Sequence, residues 1–104
     1  MPIPRIAEKD LLNADEMALF SLTQDSNSLA QLSAAQLRGK IARARNLRDR
    51  ARDMYRRQVG QTRAVTGNKR GFSGMANERT RQKSEVLSGV VERLTAARAQ
   101  HSAA

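Results

Sequence analysis

A chain of 104 residues with a formal charge of +9 and no cysteine has room for one domain at most. The missing thiols exclude a disulfide framework and any thiolate metal site. Leu, Ile, Val and Phe make up about a fifth of the residues, at the border between weakly packed and disordered chains, so marginal stability alone is expected.

The opening Met1-Pro2-Ile3-Pro4-Arg5 has no apolar core of the kind a secretory signal needs, and no apolar run approaches the length of a membrane span. The expectation is a cytoplasmic protein with no membrane partner. The first dozen residues, with two prolines, read as an extended arm over 1–12. Asn13-Ala14-Asp15-Glu16 then looks like a helix start: Asn13 can cap, Glu16 can reach back, and both acids favour the positive end of the helix dipole. The helix expected over 14–23 carries Met17, Leu19, Phe20 and Leu22. The polar stretch Gln24-Asp25-Ser26-Asn27-Ser28 should end it, with Leu29 and Leu32 in the connector.

Ser33-Ala34-Ala35-Gln36 is a second capping pattern. It opens a helix expected over 34–58, free of proline and rich in good helix formers. Leu37, Ile41, Ala44, Leu47, Ala51, Met54, Tyr55 and Gln58 recur at spacings of three and four, forming one stripe. The stripe is thin, because alanines and a glutamine stand where a strong coiled coil would place Leu or Ile. Residues 60–74 hold four glycines and read as a basic loop, long for a compact domain and of a kind that is functional or disordered. A last helix is expected over 77–98, with Val86, Leu87, Val90, Val91, Leu94 and Ala97 on its apolar face and Gly89 as a weak point. The tail 101–104 should fray. The fold expected is all-α: an antiparallel hairpin of two long helices joined by a loop, with a short N-terminal helix against one end, in one domain over 13–100.

The charge is unevenly placed. Residues 1–37 sum to −3, residues 38–70 to +10 and residues 71–104 to +2. Almost all of the excess lies in the first long helix and the loop after it, which marks a surface for acidic partners. On the helical wheel Arg38, Arg45 and Arg52 repeat every seven residues on one flank of the apolar stripe, and Arg43, Arg50 and Arg57 on the other; Arg56 extends the set. Asp49 and Asp53 can answer part of this charge at helical spacing, through Arg45, Arg52, Arg56 or Arg57. Arginine outnumbers lysine 15 to 4, and its planar fork engages phosphates in a bidentate way. The alternative for the same residues is a solvated amphipathic helix whose arginine stems cover the edge of a thin core. In the loop, Lys69 and Arg70 precede Phe72 among glycines, a setting in which a ring can stack on a base; closing the open end of the hairpin is the blander role for Phe72. Tyr55 reads as core packing with its hydroxyl at the surface.

Nothing points to catalysis. His101 is the one histidine and lies in the tail, and no nucleophile triad, paired-carboxylate or metal-ligand spacing occurs. No cofactor is expected. An interfacial membrane helix needs bulky residues on its buried face, where the basic helix offers mainly alanine. Two functions follow. The first is a non-catalytic protein binding nucleic acid through phosphate contacts, weakly sequence-specific, with RNA or ribonucleoprotein slightly favoured over DNA. Its contacts would come from Arg38, Arg43, Arg45, Arg50, Arg52, Arg56, Arg57, Lys69, Arg70 and Phe72. The second is a helical protein-protein interaction module, such as an adaptor, a regulator or an antitoxin- or immunity-like protein docking on an acidic partner. In that reading the thin stripes complete their core with another chain or a second copy, and the acidic N-terminal third masks the basic helix until the partner arrives.

Overall fold

The computed structural model describes residues 5–66 and 74–103, with side chains over 5–61 and 77–101. Five helices follow in order: α1 (Glu8–Leu11), α2 (Ala14–Gln24), α3 (Ser26–Ala30), α4 (Ala34–Thr66) and α5 (Gly74–Ala103). The two long helices pair as an antiparallel hairpin, and the short ones lie along it. The result is a rod of 54 × 21 × 21 Å. The all-α hairpin expected from the periodicity is the fold observed.

Local chemistry sets the helix starts. At α2 a complete capping box forms: the Asn13 side chain accepts from the Glu16 backbone N–H at 2.9 Å, and the Glu16 carboxylate accepts from the Asn13 N–H at 2.8 Å. Ser33 and Gln36 exchange the equivalent pair of bonds at the start of α4, at 3.1 and 2.8 Å. Each box satisfies two amide groups that a helix start would otherwise leave without partners.

The core is one continuous cluster. From α4 it takes Leu37, Ile41, Ala44, Leu47 and Ala51, and from α5 Leu87, Val90, Val91 and Leu94, all buried. The alanines let the two helices approach closely, which suits a thin stripe to an intramolecular partner. Two polar bonds tie the hairpin at successive levels: the Arg52 guanidinium donates to Ser88 Oγ at 3.2 Å, and the Thr80 hydroxyl donates to Gln58 Oε1 at 2.8 Å.

Four expectations need correction. The arm over 1–12 contains α1, and Leu11 and Leu12 enter the core at 3% and 8% exposure. It is fastened to α5 as well: the Ile6 N–H donates to Gln82 Oε1 at 2.7 Å, and Arg79 donates to the Asp10 carbonyl. The polar stretch after α2 does end that helix, but Asp25 then caps α3, accepting from the Asn27 N–H at 3.1 Å and the Ser28 hydroxyl at 2.7 Å. Both long helices outrun their expected bounds: α4 continues through Gly60 to Thr66, and α5 runs from Gly74 to Ala103, so residues expected in the loop and in the frayed tail belong to helices, and 67–73 lie outside the described residues. Finally, Met54 leaves the stripe and is 55% exposed. At about 100° per residue it lies roughly 80° from the buried centre of α4, past the edge of the contact with α5.

Candidate nucleic-acid interface

The outer surface of α4 carries the arginines singled out by the sequence. Arg38, Arg43, Arg45, Arg50, Arg52, Arg56 and Arg57 are all exposed. Lys69, Arg70 and Phe72 lie outside the described residues, so the proposed stacking loop is not part of the geometry that follows.

The structure separates the two arginine flanks. Along one, Asp15, Ala18, Leu19 and Leu22 of α2 lie beside Gln36, Gly39, Lys40 and Arg43 of α4. Arg43 makes an ion pair with Asp15 at 3.0 Å. On the same side, Arg50 borders a depression shared with Leu11, Leu12, Asn13 and Met54. The other flank, with Arg38, Arg45, Arg52 and Arg56, faces away from the N-terminal helices. It extends about 27 Å from Arg38 to Arg56 along the helix axis.

Few of these charges are answered. Asp53 pairs with Arg57 at 2.9 Å, one of the pairings expected at helical spacing. Asp49 instead takes Arg48 at 3.1 Å. The Arg48 side chain is 21% exposed, held down against the hairpin, so its head reaches the adjacent carboxylate in place of the longer-range partners expected. Arg52 has only the neutral hydroxyl of Ser88. Among the described residues, no carboxylate lies within ion-pair distance of Arg38, Arg45, Arg50 or Arg56. The pairs that do form on α4 are largely exposed and each worth about 0–1 kcal/mol, so they hold their arginines weakly against a competing phosphate.

The acids of the N-terminal segment are mostly engaged elsewhere. Glu16, 3% exposed, receives Lys83 of α5 at 2.9 Å besides completing its capping box. Glu8 pairs with Arg5 at 3.5 Å. The Asp25 carboxyl is pulled below its ordinary value, first by the Ser28 hydroxyl bond and then by backbone amides of α3. Asp15 is the one carboxylate of this segment that reaches an α4 arginine among the described residues. Opposite charge along the rest of α4 is therefore sparse.

On α5 the pattern is reversed. Arg81 is gripped by Glu78 and Glu85; hydrogen bonding from Glu78 raises its pKa still further, while the same bond lowers that of Glu78. Arg81 and Lys83 of α5 are tied to carboxylates, whereas most arginines of α4 face solvent.

One feature of α4 was missed in the sequence. Between the two flanks lies an arc of about 140°, directly opposite the side packed on α5. Its first turns present Ala35, Gly39, Ala42 and Asn46, all exposed, and a Cβ built on Gly39 meets no atom within 4 Å. The signal was available as the complement of the apolar stripe: the positions farthest from it carry the smallest side chains. Farther along, the arc holds Asp49 and Asp53, 60% and 57% exposed.

Among the described residues no group of His, Cys, Asp and Glu could hold a metal ion, and no helix is long and apolar enough to cross a membrane. His101 is exposed near the end of α5. Compared with protein families, curated proteins and solved structures, the chain matches none.

Proposed function

We propose that this chain is a non-catalytic nucleic-acid-binding protein that grips phosphates with the exposed arginines of α4. The observation that carries the reading is the open flank: Arg38, Arg45 and Arg56 stand exposed along one side of a single helix, none of them in an ion pair among the described residues, and Arg52 among them has only a hydroxyl. Guanidinium groups held this way present forked donors to successive phosphates at little ordering cost to the helix backbone, and each contact releases counterions from the polyanion. Nothing in such a surface distinguishes one base sequence from another, so the binding is backbone-directed and only weakly sequence-specific.

The interaction-module reading has less to recommend it. The stripes that would complete a core with another chain are already buried against each other and the N-terminal helices. Met54 is the one large hydrophobic side chain left exposed among the described residues.

Replacing Arg38, Arg45, Arg52 and Arg56 together by glutamine tests the proposal. At low salt the variant should lose at least about tenfold in affinity for a fluorescent oligonucleotide, since each charge-assisted contact contributes about 1.5–3 kcal/mol at best and less when solvated. Its helical circular dichroism should match wild type, because all four side chains are exposed. Unchanged affinity in a folded variant would contradict the proposal.

A further inference from the structure

Resting on that reading, we infer that the ligand is B-form duplex DNA, and that the outer arc of α4 enters its major groove with the two arginine flanks on the two bordering phosphate backbones. Three features combine. The arc lies directly opposite α5, so α4 is the projecting edge of the hairpin, unobstructed by its own partner helix. Its first turns carry only Ala35, Gly39, Ala42 and Asn46, so the helix there is slimmer than an ordinary one. Cations border the arc on both sides: Arg38 and Arg45 on one, Arg43 and Arg50 on the other, all exposed, the second pair about 7.5 Å farther along the axis.

A helix with side chains is about 10–12 Å across, and the B-DNA major groove about 12 Å wide, so a small-faced helix fits between its walls with arginines reaching outward to both. The A-form major groove is deep and narrow and does not admit such a rod. Single strands are gripped by exposed aromatic rings, and among the described residues this face has none: Tyr55 is half-buried toward the hairpin and Phe20 is on α2. The proposal thus departs from the slight preference for RNA or ribonucleoprotein expected from the sequence.

The acids limit how much of α4 can enter. Asp49 and Asp53 would meet phosphate or base edges farther along the arc, which confines insertion to the turns before them. Arg50 reaches back to the DNA backbone from the next turn, as helical side chains lean toward the N-terminus. Asn46 is the amide at the floor of the inserted stretch, and its paired donor and acceptor suit the N6 and N7 edge of adenine. Occupying the groove also requires Arg43 to exchange Asp15 for a phosphate. Both partners of that pair are more than half exposed, so the exchange is easy.

The test is fluorescence anisotropy of the full chain with three probes of one sequence: a DNA duplex, an RNA duplex and a DNA single strand. Three variants accompany it: Arg38→Gln/Arg45→Gln, Arg43→Gln/Arg50→Gln and Ala42→Leu. Insertion predicts that the DNA duplex binds at least about tenfold tighter than the RNA duplex. Each arginine pair should weaken DNA binding severalfold. Ala42→Leu, neutral and a good helix former at an exposed site, should weaken it too, by crowding the groove. Wild-type protein should also protect guanine N7 from methylation, since that atom lies in the major groove. Equal or tighter binding of RNA, dependence on one flank alone, or an unaffected Ala42→Leu with open N7 would overturn the inference and leave phosphate binding standing. Binding to none of the probes would overturn both.

Discussion

Glu78 shows how single side chains on α5 spend their charge on the fold. Its carboxylate receives Arg81, and that bond holds its pKa below the ordinary value of 4.5. A carboxyl depressed in the folded state contributes stability that is fully present above its unfolded pKa and drains away as pH falls through the folded one. Glu78→Gln should therefore lower the melting temperature at neutral pH, and the gap from wild type should narrow in strong acid as Glu78 takes up its proton. Thermal circular dichroism at the two pH values checks this; a gap that persists in acid would mean the residue acts through packing and not through charge. Arg38, Arg45 and Arg56 are the contrasting case. No carboxylate lies within ion-pair distance of them among the described residues, so the fold gains little from them, and a bound anion would offset their self-repulsion.

At the scale of elements, the helix starts were legible and the helix ends were not. Asn13 with Glu16, and Ser33 with Gln36, are local patterns whose hydrogen bonds need only neighbouring residues, and both formed. Gly60 looked like a stop because an interior glycine costs a helix about 1 kcal/mol. The run from Gln61 to Thr66 contains no further breaker, however, and Gln58 is bonded to Thr80 at that end of the hairpin, so propagation wins over the local penalty. If so, Gly60→Ala should stabilise the protein by about 0.5–1 kcal/mol, read by urea denaturation: a Cβ there meets no atom within 4 Å. Destabilisation would place residue 60 outside a helix. The burial of Leu11 and Leu12 escaped the sequence for a different reason. Two adjacent leucines in a proline-led arm have no periodicity to reveal them, and they become core only because Arg79, Gln82 and Lys83 of α5 fasten the segment that carries them. The arginine flanks were legible from heptad spacing alone. Which flank would lie open was not, since that depends on where α2 lands, and neither was the small-residue arc, which acquires meaning only once α5 is known to sit directly behind it.

The whole molecule is a rod that divides its charge by helix. Glu16 of the N-terminal segment is paired with Lys83 of α5, and Arg81 of α5 with Glu78 and Glu85, while α4 leaves most of its arginines to solvent. Apolar stripes too thin for a strong coiled coil suffice because they close on each other within one chain, with the short helices covering the remaining side of α5. What remains exposed is an edge of α4 with positive charge on both sides and little bulk between. Such a surface supports the proposed recognition of a polyanion by charge and shape, whose thermodynamic signature would be displacement of counterions. The most direct measurement is the affinity for a duplex oligonucleotide as a function of salt. With at least four arginines engaging phosphates, the logarithm of the binding constant should fall with the logarithm of salt concentration at a slope of about −3.6 or steeper. A slope near zero, or no binding even at low salt, would contradict the account.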